Sequence, residues 1–376
     1  MYKNDNRVVV TLDAGGTNFV FGAMRGCEFI TEPVTYPSHS ENLDKCLATM
    51  VKGFREIIAK LDEKPVALSF AFPGPADYPN GIIGGYLPNF PSFRDGVALG
   101  PFLENEFGIP VFINNDGDLF AFGEALCGVL PEINCKLREA DSNKRYRNLL
   151  GYTFGTGFGI GMVVNGKLNR GDNCCVETFC LPHKGRPDII VEEGVAIRAV
   201  RRIYGEHSGN PEHGLQPKDI CEIANGTRPG NRESAIRAFA EFGETAGHAI
   251  ATAAQLVDGI IVLGGGITAA RHHIMPSLMK ELRSSLSTLG GESVRRVQME
   301  VFDLDNEAEF AAFARGNRRS IPVPGTDRTV EYDNMKRIGV AISKLGASKA
   351  ISAGAYAFAL SELDAAAESD SSETTI

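Results

Sequence analysis

The chain has 376 residues, of which 43% are hydrophobic and 23% charged. This length exceeds the size at which a single hydrophobic core stops growing, so we expect two domains, and the composition excludes a disordered, collagen-like or coiled-coil protein. The formal net charge of −9 repels phosphate backbones and anionic lipid, so neither nucleic acid nor a membrane is an expected partner.

The sequence contains no pattern typical of a secretory signal or a membrane span. Residues 1–7 are polar and run directly into the apolar residues 8–10, without a signal-peptide core. The longest apolar stretch, 249–267, is interrupted by Gln255 and Asp258, which favours a helix followed by a buried strand. The eight cysteines then indicate free thiols in a reducing compartment. We therefore predict a cytoplasmic protein without disulfides.

The first half of the chain alternates between strand and helix periodicity. Predicted strands are 7–13, 19–24, 65–72 and 111–113, and predicted helices are 42–61, 99–107 and 119–126. This alternation predicts the α/β class. Residues 131–148 are polar and charged, which predicts an exposed insertion or a junction between lobes.

The second half repeats the opening arrangement. A predicted strand at 149–154, a glycine-rich turn and a returning strand at 162–164 correspond to the arrangement at 8–24, which predicts two lobes built on one plan. A helix at 232–257, a strand at 259–263 and a helix at 275–289 follow. Residues 350–363 predict a helix of small residues that packs tightly on a neighbour, and the tail 365–376 is predicted to be disordered.

The turn after the first strand contains residues suited to a polyphosphate. Asp13 supplies a carboxylate, Gly15 and Gly16 let backbone N–H groups approach an anion, and Thr17 and Asn18 add polar side chains. A plain hairpin turn, in which Gly-Gly is also favoured, is the alternative.

Two further glycine turns strengthen the phosphate interpretation. Gly155, Thr156 and Gly157 repeat the glycine-threonine content, and Gly264–Gly266 follow the predicted strand 259–263. No G-x-x-x-x-G-K-[ST] pattern occurs, which excludes a P-loop. The third turn fits the dinucleotide pattern only loosely, because no acidic residue follows about 20 positions later, and it is interpreted instead as lining an adenosine pocket.

An amide and a carboxylate follow the short strand 111–113, where α/β proteins usually place ligand-binding side chains. Asp116 is suited to accept the proton of an attacking hydroxyl, and Asn115 to orient a polyhydroxy substrate. Such a pair is also typical of a helix N-cap, and Asp118 is a rival carboxylate.

These motifs occur in an order that resembles the ROK family of sugar kinases and repressors. The resemblance rests on Asp13–Thr17, Phe72–Pro75, Pro88-Asn89, Asn115-Asp116 with Gly123-Glu124, Gly155–Gly157 and Gly264–Gly266, and it spans roughly residues 8–360. It implies the two-lobed, actin-like, ribonuclease-H-like ATPase fold, with ATP and magnesium in a cleft between the lobes. The lobes expected are 1–118, completed by 346–364, and 119–345.

The resemblance also implies residue roles. Asp116 corresponds to the catalytic base, Asn115 and Asn89 to sugar ligands, and Asp13, acting indirectly on magnesium, to the phosphate and metal site. Both threonine-containing turns correspond to phosphate ligands.

One region departs from the family pattern. The family has E-x-G-H followed by a zinc-binding cysteine segment, whereas this chain has Glu177 and, six residues later, His183. Glu177 remains a candidate sugar ligand, while the role of His183 stays open. Cys174, Cys175 and Cys180 fit no common zinc pattern, so we expect buried free thiols and no structural zinc. A later sugar-binding glutamate corresponds to Glu192 or Glu193, and Glu193 is preferred.

The resulting hypothesis is an ATP-dependent sugar kinase acting on a hexose or N-acetylhexosamine, as a homodimer or homotetramer. A sugar-responsive transcription regulator is the first alternative, but only seven residues precede Val8 of the first predicted strand, where such regulators carry a helix-turn-helix domain. A sugar-binding protein that has lost catalysis is the second alternative. The sequence leaves the identity of the sugar open.

Overall fold

A computed structural model describes residues 2–74, 76–212 and 214–373. Its α-helices are α1 Leu43–Ile58, α2 Leu99–Phe107, α3 Asp116–Leu126, α4 Val129–Glu139, α5 Ile197–Ser208, α6 Pro217–Asn225, α7 Arg232–Val257, α8 Arg271–Leu282, α9 Glu307–Arg315 and α10 Ala347–Glu373. The mixed composition of helices and strands confirms the predicted α/β class.

Strands occur in both halves of the chain. Those before residue 129 are β1 Val9–Ala14, β2 Asn18–Arg25, β3 Glu28–Phe29, β4 Val34–Pro37, β5 Ala67–Ala71, β6 Ile82–Ile83, β7 Val97–Ala98 and β8 Val111–Asn114. Those after it are β9 Leu149–Phe154, β10 Phe158–Val164, β11 Lys167–Leu168, β12 Pro182–His183, β13 Arg186–Ile190, β14 Ile260–Gly264, β15 Ser285–Ser287, β16 Ser293–Arg295, β17 Glu300–Asp303, β18 Arg318–Pro322, β19 Thr329–Asp333 and β20 Arg337–Ile342.

The chain forms two compact units. The first unit comprises Met1–Gly128, Ile160–Phe179 and Lys344–Ile376, and the second comprises Val129–Gly159 and Cys180–Ser343. The predicted lobe division placed residues 119–128 and 160–179 in the second lobe, whereas the structure groups both segments with the first unit.

The first unit is built on a sheet with the strand order β3-β2-β1-β5-β8, and β4 pairs with β2. β1, β5 and β8 are parallel, while β2 returns antiparallel to β1 through the first glycine turn. The core below this sheet is rich in phenylalanine, and Gly53 of α1 leaves the space that the Phe21 ring fills, because a Cβ at Gly53 would lie 2.3 Å from that ring. The apolar stripe of α1 thus packs on the sheet.

Helices α3 and α10 of the first unit cross with their backbones in contact. A Cβ added at Gly123 would lie 2.0 Å from the Ala350 carbonyl oxygen, and one at Gly354 would lie 1.8 Å from the Leu119 carbonyl oxygen. Only glycine permits such an approach. This confirms that the small-residue segment 350–363 is a tightly packed helix, and it fixes α3, whose first residue is Asp116.

The second unit contains a parallel sheet in which β9, β14, β20 and β17 are successive neighbours. All five residues of β14 are buried, as expected for a strand in the interior of a parallel sheet. The hairpins β15–β16 and β18–β19 form separate two-stranded pairs.

Three expectations about secondary structure require correction. Residues 131–148 do not form only an exposed insertion, because α4 covers Val129–Glu139 and buries Ile133 and Leu137. The tail predicted to be disordered is helical as far as Glu373, since the alanine-rich end of α10 continues a favourable helix, and residues 374–376 lie outside the described residues. The helix predicted at 275–289 begins earlier and ends at Leu282.

The expectation of free thiols throughout is wrong for one pair. Cys27, in the turn between β2 and β3, is joined to Cys127, which caps the C-terminus of α3. The two residues are 100 positions apart, and it is the packing of α3 in the first unit that brings them together. Among the described residues, no helix has the length and apolar character needed to cross a membrane.

We predict that Gly354→Ala destabilises the protein by about 3 kcal/mol or more, because the new methyl group must separate α10 from α3. An ordinary glycine-to-alanine change inside a helix stabilises the folded protein by up to about 1 kcal/mol. A loss of stability in Gly354→Ala would therefore indicate the close helix crossing. Calorimetric unfolding would measure it. Gly290→Ala is the matched control, since its Cβ meets only Thr288 Oγ1 at 3.7 Å. An unchanged melting temperature for Gly354→Ala would contradict the close crossing.

Candidate active site

The carboxyl ends of three parallel strands meet at one edge of the first unit's sheet. Asp13 pairs in register with Ala71, and Ala71 with Asn114. In open α/β sheets, ligands bind beyond this edge. The predicted phosphate turn after β1 and the Asn115-Asp116 pair after β8 are therefore brought to the same edge.

The first glycine turn is packed against a predicted sugar ligand. A Cβ at Gly16 would lie 2.9 Å from the Cβ atom of Asn89, and one at Gly15 would lie 2.9 Å from the Asn18 carbonyl oxygen. The Thr17 carbonyl accepts a hydrogen bond from the Ser38 backbone N–H at 2.9 Å. The turn is thus held in one conformation, with Asn89 directly beside it.

Aromatic packing fixes the segment that carries Asn89. The ring of the neighbouring residue Phe90 lies 4.6 Å from that of Phe72, at the end of β5, and stacks on Phe19 of β2 with centroids 6.1 Å apart. All three side chains are fully buried. Asn89 itself is exposed, so the core anchors its backbone while its amide remains available to a ligand.

At the N-terminus of α3, Asn115 and Asp116 can cap the helix and still be available to a ligand. Asn115 caps the helix, its Oδ1 accepting from the Gly117 N–H at 2.7 Å, and Asp116 Oδ1 accepts from the same N–H at 2.9 Å. A carboxylate in the first turn is also favoured by the helix dipole. Asp116 keeps access to solvent, so capping leaves it free to meet a substrate.

Three further groups of the first unit surround Asp116. Asp118, Glu177 and Tyr78 are 2%, 9% and 3% exposed. The Tyr78 hydroxyl donates to the Phe72 carbonyl at 2.9 Å and lies 3.4 Å from Glu177 Oε2. Gly74 makes room for both, since a Cβ there would lie 2.2 Å from the Tyr78 hydroxyl and 2.6 Å from Glu177 Oε1. A compact cluster of acidic groups therefore lies at the sheet edge.

Burial and mutual repulsion raise the pKa values of these acids. Burial raises the pKa of Asp118 to about 7, with Arg170 opposing and Asp116 adding to the shift. Burial, followed by the charges of Asp118 and Asp116, raises the pKa of Glu177 to about 8. Glu177 is therefore mostly protonated near neutral pH and presents a hydrogen-bond donor.

The two carboxyl groups nearest the glycine turn are shifted in the same direction. The protein packed around Asp116 raises its pKa, the Gly117 N–H opposes this, and the charge of Asp13 adds to it. Burial also raises the pKa of Asp13, opposed by a hydrogen bond from Ser348. Each carboxylate therefore gains from a cation or a proton placed beside it.

The sequence did not identify Tyr78 or Arg170, because neither lies in a recognisable motif. Arg170 donates from Nη1 to Asn114 Oδ1 at 2.9 Å, and its positive charge opposes the upward shift of the Asp118 pKa. Among the described residues, three buried atoms at this edge have no hydrogen-bond partner: Asn114 Nδ2, Asp118 Oδ1 and Glu177 Oε1. Such atoms are suited to a ligand or water.

The second unit brings its own two glycine turns together. Gly264 pairs in register with Thr153, and Gly265, at a φ of +89°, lies so close to β9 that a Cβ would be 2.3 Å from the Phe154 carbonyl oxygen. Within the other turn, the Gly155 N–H donates to the Gly157 carbonyl at 3.1 Å. Gly155–Gly157 and Gly264–Gly266 therefore adjoin at the carboxyl ends of β9 and β14.

Glu192 and Glu193 of the second unit have different partners. Glu192 Oε2 accepts from the Phe158 N–H at 3.1 Å and so supports the glycine turn. Glu193 Oε1 accepts from Arg198 Nε at 2.9 Å, and this bond holds the pKa of Glu193 below its usual range. Glu193 and His183 line the same cavity, which places them in one neighbourhood.

The remaining cysteines of this region are free thiols. Cys174 is buried, but Cys175 and Cys180 are exposed, so the expectation of burial is wrong for those two. Neither cysteine lies in an α-helix or a β-strand, so no helix or strand periodicity predicts which of these side chains are exposed. In the described part of the chain, no group of three or more histidine, cysteine or acidic side chains is arranged to hold a metal.

We predict that Glu177→Gln changes the pH dependence of stability. The native pKa of about 8 exceeds the unfolded value, so the native state binds the proton more tightly. The stabilisation is present at low pH and is lost as the pH rises from about 5 to about 8. The variant should lose less stability across this range than the wild type, by up to about 1.4 kcal/mol per pH unit.

Urea unfolding at several pH values would measure this difference. Glu362→Gln, which changes an exposed carboxylate of α10, is the control and should keep the wild-type slope. Equal slopes for the wild type and Glu177→Gln would show that Glu177 titrates normally.

Comparison with known proteins agrees with the geometry. A glucokinase structure from Parabacteroides distasonis is 60% identical, covers 96% of this chain and 99% of its own, and superposes with a TM-score of 0.88. The glucokinase of Streptomyces coelicolor is 24% identical over 344 residues, which span 84% of this chain and 99% of that protein. The match to the glucokinase of Thermotoga maritima, 28% identical over 165 residues, spans 43% of this chain and 46% of that protein.

More distant structures establish the fold. A ROK hexokinase from Thermus thermophilus is 19% identical, covers 93% of this chain and 96% of its own, and has a TM-score of 0.63. The two α/β units therefore have the actin-like ATPase fold class, as the sequence predicted. The model of the ROK family matches residues 9–308, and since this is most of the sequence, the chain belongs to the ROK family.

Proposed function

We propose that the protein transfers the γ-phosphoryl group of ATP to a hydroxyl of a hexose or N-acetylhexosamine, with Asp116 as general base. The observation that carries this proposal is the position of Asp116 at the sheet edge, exposed to solvent and beside buried acids with unpartnered oxygens. That combination supplies a proton acceptor next to groups able to hold a polyhydroxy substrate.

Similarity supports a sugar kinase more than a repressor. The Parabacteroides distasonis structure, described as a glucokinase, aligns along nearly its whole length at 60% identity. The xylose repressor of Bacillus spizizenii is 26% identical over 125 residues, 32% of this chain. Glucose is therefore the first sugar to test, and the panel should include N-acetylglucosamine because a kinase of that sugar from Vibrio cholerae is 30% identical over 166 residues.

Three side chains of the first unit would orient the sugar. Asn89 and Asn115 each offer an amide with donor and acceptor atoms. Glu177, protonated near neutral pH, offers a donor at its unpartnered Oε1 or accepts when ionised. Because buried polar atoms left unpaired are costly, a sugar that satisfies them binds more tightly than one lacking the matching hydroxyl.

The raised pKa of Asp116 makes it a better base than an aspartate with an ordinary pKa. It would take the proton as the hydroxyl oxygen attacks phosphorus. The Gly117 N–H, already bonded to Asp116 Oδ1, keeps the carboxylate oriented. Asp118 is buried, whereas Asp116 is exposed, so Asp118 is better placed to support Asp116 than to replace it.

Backbone N–H groups would bind the phosphates. Gly15–Thr17 would offer them beside Asn89. In the second unit, Gly155–Gly157 and Gly264–Gly266 would offer them, apart from the Gly155 N–H, which is bonded to the Gly157 carbonyl. Asp13 would act indirectly on magnesium, since its carboxylate gains from a neighbouring cation. Bound there with ATP, the ion would neutralise charge developing on the phosphate oxygens.

We predict that Asp116→Asn retains sugar binding and lowers phosphoryl transfer by about 100-fold to 10,000-fold, the usual contribution of a general base. A coupled assay of ADP release over a panel of sugars would measure turnover, and calorimetric titration with glucose would measure binding.

Asp95→Asn, at an exposed position of the first unit, is the control and should behave as the wild type. Near-normal turnover in Asp116→Asn, with loss in Asp118→Asn, would transfer the role of base to Asp118. If the wild type binds a sugar but phosphorylates none of the panel, the protein is a sugar-binding regulator or a ROK protein without catalysis.

A further inference from the structure

The glycine turn Gly155–Gly157 packs against the segment that leads into α5. The Ile197 backbone N–H, at the start of α5, donates to the Gly155 carbonyl at 2.9 Å. On the other side of the turn, a Cβ at Gly157 would lie 2.9 Å from Glu192 Oε2. The turn is therefore in contact with this segment at both of its glycines.

Arg198, the second residue of α5, adds a side chain to this connection. Its Nη1 donates to the Thr156 carbonyl at 3.1 Å, at the middle of the turn. Its Nη2 donates to Glu192 Oε1 at 2.7 Å and to Glu193 Oε1 at 2.7 Å, and its Nε donates to Glu193 Oε1 at 2.9 Å. One guanidinium thus joins two carboxylates to the backbone of the glycine turn.

Glu192 connects the arginine to the turn a second time. Its Oε1 accepts from Arg198 and its Oε2 accepts from the Phe158 N–H at 3.1 Å, so the carboxylate bridges these two groups. The bonds therefore form a closed ring that begins and ends on the backbone of residues 156–158. The planar, forked guanidinium suits several acceptors at once, whereas the compact ammonium of lysine cannot reproduce that geometry.

This ring affects which groups of the turn are directed at a ligand. A phosphate attracts backbone N–H groups and repels carbonyl oxygens, so a glycine turn binds it when its carbonyls have other partners. The Gly155 and Thr156 carbonyls both accept hydrogen bonds from α5. Without the guanidinium, the Thr156 carbonyl would lose this partner, and the neighbouring glycines would allow the turn other conformations. Arg198 thus restricts the turn to one conformation.

We propose that Arg198 is a positioning residue for the nucleotide, because it holds Gly155–Gly157 in the conformation that binds phosphate. The arginine acts through the turn and through Glu192, not by contact with a substrate. This inference rests on the proposed kinase function, since it takes the turn as a phosphate ligand. It predicts that loss of Arg198 affects the nucleotide and not the sugar.

Calorimetric titration of the full chain with a non-hydrolysable ATP analogue and magnesium, and separately with glucose, tests the inference. Arg198→Met keeps an unbranched apolar stem and removes the hydrogen bonds. We expect it to weaken analogue binding about tenfold, the size of one charge-assisted bond, and to change the glucose affinity by less than about twofold. Arg198→Lys should recover part of the loss, because an ammonium can bond some of the acceptors but not all of them.

Glu192→Gln gives a second readout, which a general loss of stability would not reproduce. Because Glu192 and Arg198 act through one turn, their effects on analogue binding should not add. The double variant should therefore bind the analogue about as tightly as Arg198→Met alone. Melting temperatures will verify that each variant folds.

Arg237→Met is the matched control. Arg237 also pairs with a glutamate on a helix of the second unit, its Nε lying 2.8 Å from Glu241 Oε1, and its side chain is 61% exposed. Its replacement should leave both affinities unchanged.

Two results would overturn the positioning role. One is an unchanged analogue affinity in Arg198→Met, and the other is an equal loss of analogue and glucose affinity in that variant. Both results concern binding, so they decide the role of Arg198 even if the wild type releases no ADP with any sugar, which would overturn only the proposed function. Failure of the wild type to bind the analogue would overturn both proposals.

Discussion

The parallel register of β1, β5 and β8 is the constraint on which the first unit's chemistry depends. Because the three strands end at the same edge of the sheet, Asp13, Asp116 and Asp118 lie at that edge, although they come from separate parts of the chain. Like charges so close together oppose folding. The compensation comes from elsewhere in the unit, from the phenylalanine core and from the glycine-mediated crossing of α3 with α10.

Burial and the repulsion between neighbouring carboxylates raise the pKa values of the acids at this edge. A raised pKa in Asp116 and Glu177 means that the folded unit holds protons, or accepts a cation, more readily than separate side chains would. In the proposed kinase, magnesium near Asp13, or sugar hydroxyls at the unpartnered oxygens, would relieve the same repulsion. Stability and ligand affinity would then be coupled at this edge.

The sequence located those candidate site residues that stand at the ends of regular strands. Asp13, Asn115 and the glycine turns stand at the ends of buried strands, so periodicity alone locates them. It failed for Tyr78 and Arg170, which reach the site from irregular segments through contacts that no local pattern encodes. The pairing of Cys27 with Cys127 was missed for the same reason, since it depends on where α3 packs in the tertiary structure. The roles of the site residues stay predictions, because they concern ligands and not the fold.

The two glycine-threonine turns resemble each other in sequence but differ in what supports them. Gly16 is packed against Asn89, whereas Gly157 is packed against Glu192, whose carboxylate holds the following backbone N–H. A movement of Asn89 toward Gly16 would therefore press on the first turn, since there is not room even for a methyl group between them. In the proposed kinase, in which Asn89 would bind the sugar, sugar binding would therefore be coupled to the first phosphate turn more directly than to the second.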